Sequence, residues 1–343
     1  MLHCYTKNIL YGALNLFMNE VTIAVLKKSI IHLIKIVVSA GLLSWLIYSI
    51  DWPALLEVFK TAEPGWLLLA GVFVVFSLVV SVEKWSLVLR AEGINLPWYQ
   101  LWKAYWIGIF FNNFLPSIIG GDGIRVFLVG RSISNMAGAA SSVVVERLLA
   151  AIGLALTGLI AGLIAGSIWQ VGWIFMLLII VSIGLLFFLM HGRVPAWADK
   201  RAGKISGFVR GFLSHGQTMR GQGKMVIRVG FLSVLFQLTV VAVNYAIFRS
   251  LHVNTLGWWN LFYIIPAISA IAMIPIGING YGIREGAYVL LLASYGVAGS
   301  AALAASLLFA VLVSFCSLYG GFLWFGNRDK SVVRECCPEM LPE

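Results

Sequence analysis

Residues 112–131 hold the side chains of this chain that are best suited to bind an anion. They read NNFLPSIIGGDGIRVFLVGR and place amides, charges and helix-breaking residues inside an apolar region. Pro116 lacks a backbone donor and ends a helix, while Gly120 and Gly121 favour a tight reversal of the chain. The pattern therefore predicts a helix that breaks, reverses and resumes.

Three polar residues around this break could contact a ligand. Asp122 would lie at the N-terminus of the resumed helix, with Arg125 three residues further on and on the same face. Unpaired N–H groups and the positive end of the helix dipole favour a phosphate or a carboxylate at that position. Asn113, just before the break, could contact the same ligand or could satisfy backbone groups that the break leaves free.

A second stretch, PIGINGYGIREG, repeats this pattern with different residues. Asn279, Gly280 and Gly282 favour a turn with positive φ angles. Arg284 and Glu285 then open the next helix. Each break therefore brings an arginine and a neighbouring acid into an apolar region.

Glu146 and Arg147 form a further charged pair near the start of a long apolar run. They could join Asp122 and Arg125 in one charge network, or they could lie at the membrane interface. Similarly, the two breaks could form a site for an anion or a lipid head group, or only paired interfacial charges at the ends of short helices. Charges at membrane depth cost at least about 2.5–3.5 kcal/mol each, which favours the functional interpretation.

The composition indicates the environment of these elements. Hydrophobic residues make up 60% of the 343 residues, charged residues 11%, and the mean hydropathy is +0.93. This apolar share far exceeds that of a soluble domain, so we expect an all-α polytopic membrane protein.

A helix that crosses a membrane needs about 20 mostly apolar residues. Two apolar regions, 103–132 and 259–297, are broken in the middle by the two motifs. The uninterrupted runs predict six full spans, at 31–50, 66–82, 140–168, 171–190, 228–249 and 299–326.

The distribution of charge sets the topology. Loop 191–228 carries eight Lys and Arg residues against the single acid Asp199, so we expect it to be cytoplasmic. Segment 83–103 and the C-terminal tail each carry three Lys and Arg residues mixed with acids, and because the rule counts only Lys and Arg they predict the same side. In each half, three apolar regions lie between two cytoplasmic segments. A chain that starts and ends on the same side of the membrane crosses it an even number of times, so one region in each half cannot cross. Both broken regions are therefore predicted to be re-entrant hairpins.

Two halves of opposite orientation follow from this count, as in transporters built from inverted repeats. The alternative is eight ordinary spans. The basic loop could also lie on anionic lipid, or it could serve only as a topology anchor. The predicted divisions are a cytoplasmic N-terminal segment 1–30, a first membrane repeat 31–168, a second repeat 169–326 that includes the loop, and a cytoplasmic tail 327–343.

Other function classes have little support. The sequence has no HExxH, GxSxG or P-loop motif, and its histidines show no ligand spacing. The four cysteines lack zinc-type spacing. The net charge of +10 comes from basic residues in the connections rather than from a folded basic domain, so nucleic acid is not an expected partner. We expect no catalytic residue, metal or cofactor.

The two breaks and the stretch VVVERLLAAIGL, in this order, carry a family resemblance. They resemble the signature stretches of flippase-like membrane proteins related to the transmembrane region of lysylphosphatidylglycerol synthase, over residues 30–326. In the bifunctional relatives, this region is understood to move aminoacylated phosphatidylglycerol between leaflets, while a separate soluble domain makes that lipid. The resemblance points to the same motif residues as the charge analysis. This chain ends soon after its last span, so we expect no synthase domain.

We therefore expect a lipid transporter or flippase that moves an anionic or head-group-modified phospholipid, or a lipid-linked precursor, between leaflets. The alternative is a membrane-embedded transferase or an accessory subunit for lipid modification. The expected location is a bacterial inner membrane with both termini cytoplasmic. A membrane lipid is the expected substrate, a lipid-synthesising enzyme could be a partner, and a dimer is allowed but not specified.

Overall fold

The structure is a computed structural model that describes residues 52–114, 120–166, 168–193, 195, 203–274 and 282–326. The regular elements within these ranges are all helices, which confirms the expected all-α class. Several predicted features lie outside the described residues, namely the first span 31–50, the segments 1–30 and 327–343, and residues Pro116, Asn279 and Gly280.

Eleven helices are present in the described part of the chain. In chain order they are α1 (Trp52–Lys60), α2 (Pro64–Ala91), α3 (Trp98–Phe114), α4 (Gly120–Ser132), α5 (Met136–Ile164), α6 (Ile168–His191), α7 (Lys204–Thr218), α8 (Gly223–Ser250), α9 (Trp258–Ala272), α10 (Ile283–Ala293) and α11 (Gly299–Gly326).

Five of these helices, α2, α5, α6, α8 and α11, are long and apolar enough to cross a membrane. Large apolar side chains on α6, such as Ile180 and Phe187, are exposed, as expected where lipid rather than protein covers a helix. The expected span 66–82 was too short, because α2 continues through Glu83 and Lys84 to Ala91. The helix can continue there because Lys84 is buried against a carboxylate.

Helices α2 and α8 pack antiparallel along their full length. The Trp66 and Tyr245 rings lie 6.3 Å apart, and the Glu63 N–H donates to the Ser250 carbonyl at 2.9 Å. Farther along, Lys84 Nζ lies 4.6 Å from the ring centroid of Phe236. The end of α2 and the start of α8 therefore share one end of the bundle. We call it the basic end, because it exposes Arg220, Lys224 and Arg228.

Helix α5 also begins at the basic end. The Ser141 hydroxyl donates to Glu92, which follows α2, at 3.0 Å, and the Trp85 indole N–H donates to Ser142 at 3.1 Å. The chain between Ala91 and Met136 thus leaves the basic end and returns to it. The helices among its described residues are the short α3 and α4.

Helices α3 and α4 form an antiparallel hairpin. Gly121 lies against Asn112 and Gly108, while Arg125 lies against Gly108 and Tyr105. The helices have 17 and 13 residues, or about 25 and 20 Å, which is less than the about 30 Å of a bilayer core.

The predicted role of Gly120 and Gly121 in this hairpin was wrong. Both residues lie in the first turn of the helix α4 instead of forming the reversal. Gly121 is required for a different reason, because a Cβ atom there would collide with the Gly108 carbonyl oxygen. The missing side chains let the two backbones approach closely.

The second pair of short helices, α9 and α10, lies at the opposite end of the bundle. Trp258 stacks on Tyr245 near the end of α8, with ring centroids 3.8 Å apart. Tyr288 donates to Asn244, and Val289 lies beside Gly299 at the start of α11. The segment that contains α9 and α10 therefore also begins and ends at a single end of the bundle.

Helix α11 connects the two pairs of short helices. Ser306 and Phe309, in its first half, contact α10. Gly320, in its second half, packs directly on the Trp106 carbonyl of α3. Phe309 and Gly320 are about 17 Å apart along the helix axis. The two pairs thus enter the bundle from opposite ends, while their re-entry in a membrane and the inverted repeat stay predictions.

Cysteine labelling in membranes tests this topology. In a background without native cysteines, we expect Asn95→Cys and Ser134→Cys, which flank the first hairpin, to react with an impermeant maleimide from the same side. Thr255→Cys and Ala298→Cys, which flank the second, should react only from the other side. Eight ordinary spans would put Asn95 and Ser134 on opposite sides.

Candidate functional site

Arg125 is the centre of the first hairpin, and its side chain is almost fully buried, with 1% exposure. Its guanidinium carbon lies 4.2 Å from the ring centroids of Trp85 and Tyr105. Gly108 makes room for it, because a Cβ atom there would lie 2.6 Å from Arg125 Cγ. Aromatic faces stabilise a desolvated guanidinium through cation–π interaction.

Two carboxylates neutralise this arginine. Nη1 lies 3.1 Å from Asp122 Oδ1, one turn earlier on α4, and Nη2 lies 3.2 Å from Glu146 Oε2 on α5. Asp122 is in the first turn of α4, as expected from the sequence. The arginine therefore joins the hairpin to the long helix α5.

Lys84 of α2 extends this arrangement, and the sequence analysis did not identify it as a site residue. Its Nζ lies 3.6 Å from Glu146 Oε1, and both side chains are at most 2% exposed. The expected end of the span at residue 82 had placed Lys84 outside the membrane. The signal that could have located Lys84 is that the helix continues for seven residues beyond it. Those seven residues put Lys84 about 10 Å from the end of α2.

Arg147 completes the arrangement at the surface. It donates to both oxygens of Asp122, from Nε at 2.9 Å and from Nη2 at 2.8 Å. Its side chain is 53% exposed, in contrast to Arg125. We call Lys84, Asp122, Arg125, Glu146 and Arg147 the charge cluster. It has three cations and two anions, so one positive charge is in excess.

Such a cluster is stable only when it stays complete. Removing ions from water costs several kcal/mol each, and only close, well-oriented pairing offsets that cost. Four helices contribute to the pairing, since α2 supplies Lys84, α3 supplies Tyr105, α4 supplies Arg125, and α5 supplies Glu146. The cluster thus fixes how the first hairpin sits in the bundle.

A second, smaller cluster lies at the start of α10. Gly282 has φ +83° and is the N-cap residue, and its N–H donates to Glu285 Oε2 at 2.6 Å. Glu285 Oε1 accepts from Arg284 Nη2 at 3.0 Å and from the Ser306 hydroxyl at 3.4 Å. The positive φ of Gly282 agrees with its predicted place in a turn.

The remaining predicted site residues contribute less. Asn113 is partly buried in the last turn of α3, and its Nδ2 has no hydrogen-bond partner among the described residues. Pro116, Asn279 and Gly280 lie outside the described residues. Within the described ranges, no group of three or more His, Cys, Asp or Glu residues could hold a metal ion.

Glu146→Gln tests the dependence of the fold on the charge cluster. The substitution leaves Lys84 without its carboxylate and Arg125 with only one, so we expect a loss of about 3–5 kcal/mol in stability. Thermal unfolding of the purified protein in detergent measures this loss.

Two further variants serve as controls for that measurement. Glu63→Gln removes an exposed acid that lies 3.5 Å from His252, and it should change stability by less than about 1 kcal/mol. Adding Lys84→Met to Glu146→Gln should recover part of the loss, since it removes the stranded cation. Equal stability of Glu146→Gln and Glu63→Gln would show that the fold does not depend on the charge cluster.

Comparison with known proteins agrees with this architecture. The sequence matches the family described as the lysylphosphatidylglycerol synthase TM region over residues 32–320. It is 23% identical over 308 residues to the UPF0104 membrane protein PH1989 of Pyrococcus horikoshii, covering 81% of this chain and 91% of that protein. It is 28% identical over 116 residues to a UPF0104 membrane protein of Methanothermobacter thermautotrophicus, covering 33% and 34% of the two chains. The chain is therefore a multi-pass membrane protein of the lysylphosphatidylglycerol synthase TM-region family.

Proposed function

We propose that this protein moves a phospholipid with an anionic or modified head group, or a lipid-linked precursor, between the two leaflets of a membrane. The observation that carries this proposal is the charge cluster, which holds an excess positive charge beside a short-helix hairpin. The family name supports it further, because the matched region belongs to a synthase whose product is a membrane lipid.

Arg147 is the residue that we assign to the lipid phosphate. It is half exposed, whereas Arg125 is enclosed by two rings and two carboxylates. A phosphate could take the place of Asp122 at the Arg147 guanidinium and form the same two hydrogen bonds. This revises the expectation from the sequence that Arg125 itself binds the head group.

Asp122 acts in this mechanism as a competitor that releases the lipid. It bonds to Arg147 when the site is empty, and it keeps its bond to Arg125 when a phosphate arrives. The phosphate therefore leaves without stranding a cation, since Asp122 can pair with Arg147 again. The net exchange costs less than separating an ion pair outright.

The second hairpin would provide access from the other leaflet. Arg284 and Glu285 lie at the start of α10, which enters from the end opposite the basic end. In this proposal both hairpins are re-entrant and the basic end faces the cytoplasm, which the excess of Lys and Arg in loop 191–228 supports. A bacterial inner membrane is the proposed location.

In this proposal a groove on the surface of the bundle takes the acyl chains. It has a volume of about 510 Å³ and lies between α2 and α8. Exposed Ile227 and Phe231 provide apolar surface, while Glu83 and Arg228 provide a charge of each sign. Glu83 directly precedes Lys84 of the charge cluster on α2, so the groove and the cluster involve the same turn of that helix.

Leaflet exchange of head-group-labelled phospholipids in vesicles with the purified protein tests the proposal. We expect Arg147→Gln to slow the exchange of an anionic lipid about tenfold or more, because a hydrogen-bonded charge contact is worth about 1.5–3 kcal/mol. Arg284→Ala should also slow it. Arg90→Gln, at an exposed position near the end of α2, is the matched control and should exchange at the wild-type rate.

Mass spectrometry of the lipids after the assay separates this function from its alternative. Exchange by the wild type with chemically intact lipids supports transport. Altered lipids without exchange would instead identify a membrane-embedded transferase. Equal exchange by Arg147→Gln and wild type would contradict the assigned phosphate contact, even if transport itself is observed.

A further inference from the structure

Glu92 differs from the other buried acids in the described part of the chain. It follows α2 at the basic end, and its side chain is fully buried. Glu146 and Glu285 each pair with an arginine or a lysine. Glu92 instead accepts one hydrogen bond from the Ser141 hydroxyl, and its Oε2 has no hydrogen-bond partner among the described residues.

The group that faces this free oxygen is His215 of α7. Its Nδ1 lies 3.9 Å from Glu92 Oε2, which is too long for a hydrogen bond. Its Nε2 lies 2.7 Å from Asn135 Nδ2. Asn135 Oδ1 accepts from the Gly138 N–H, so the amide must present its NH₂ group to the ring. His215 Nε2 therefore accepts, and the neutral ring carries its proton on Nδ1.

The surroundings of Glu92 favour its protonated form. Burial raises the pKa of the Glu92 carboxyl to about 8, against the smaller opposing effect of the Ser141 hydrogen bond. His215 of α7 and Ser141 of α5 face this carboxyl. Arg90, two residues earlier on α2, is exposed and points to the other side of the helix.

We infer that Glu92 is a proton-binding site and that His215 responds to its occupancy. With the proton bound, the carboxyl has no negative charge to attract the Nδ1–H group, and the pair stays open at 3.9 Å. When the carboxyl releases its proton to water, the carboxylate accepts a hydrogen bond from Nδ1–H. Closure of this contact draws α7 toward α2 and α5.

Helix α7 contacts other helices of the bundle, which connect it to the rest of the structure. Gln217 donates to the Gly192 carbonyl just after α6 at 2.7 Å, and Gly211 lies beside Ala137 of α5. Ser141, the partner of Glu92, directly precedes Ser142, which accepts from Trp85. Trp85 in turn covers Arg125. Proton binding at Glu92 does not depend on lipid transport.

Infrared titration of the purified protein tests the proton site. The wild type should show a protonated-carboxyl band that disappears with a midpoint near pH 8. The band should be absent in Glu92→Gln and present in Glu57→Gln, which changes an exposed acid. Ser141→Ala should move the midpoint to higher pH, since it removes a bond to the charged form. A band that persists in Glu92→Gln, or one that titrates in the ordinary range of carboxyls, would overturn the inference.

Hydrogen exchange of α7 tests the response of His215. The protection of the α7 amides in the wild type is compared with that in Glu92→Gln at each pH. This difference should increase as the pH rises through the midpoint of the infrared band. His215→Gln should keep that band but lose the gain in protection. Equal protection in wild type and both variants across this range would show that α7 does not respond to the proton.

Discussion

An ionised side chain away from water requires a counter-charge within a few ångströms, and this requirement determines how the first half of the bundle is arranged. Arg125 meets it with two carboxylates from two different helices, and Lys84 shares one of them. The pairing works only if α2, α4 and α5 keep their relative positions. Apolar contacts between helices in lipid are weakly specific, so the charge cluster supplies much of the specificity that they lack.

Short helices follow from the same requirement. A hairpin of two helices that are each too short to cross can bring a charged side chain into the bundle from one end and still return the chain to that end. The first hairpin delivers Arg125 in this way, and the second delivers Arg284 from the opposite end. Close approach of backbones at Gly108 and Gly121 keeps the first hairpin narrow enough to fit between the long helices.

The sequence was informative where the pattern is local. Apolar runs located the long helices, and broken runs located both pairs of short helices, because length and helix-breaking residues act within a few turns. Lys84 was missed because its burial depends on Glu146, which is 62 positions away in the chain. The sequence also could not predict the exposure of Arg147 or the role of Gly121, since both depend on which helix packs beside them. The contact between Glu92 and His215 joins still more distant segments.

The lengths of the spanning helices have a consequence for the membrane around the protein. Helices α2, α5, α8 and α11 have 28 or 29 residues, or about 42 Å, which exceeds the about 30 Å thickness of a typical hydrocarbon core. They must tilt, extend into the head-group layer or thicken the lipid around them. In a thinner bilayer, the level of Lys84 lies closer to the interface and its hydration improves. The energetic cost of opening the charge cluster is therefore set partly by the lipid composition of the host membrane.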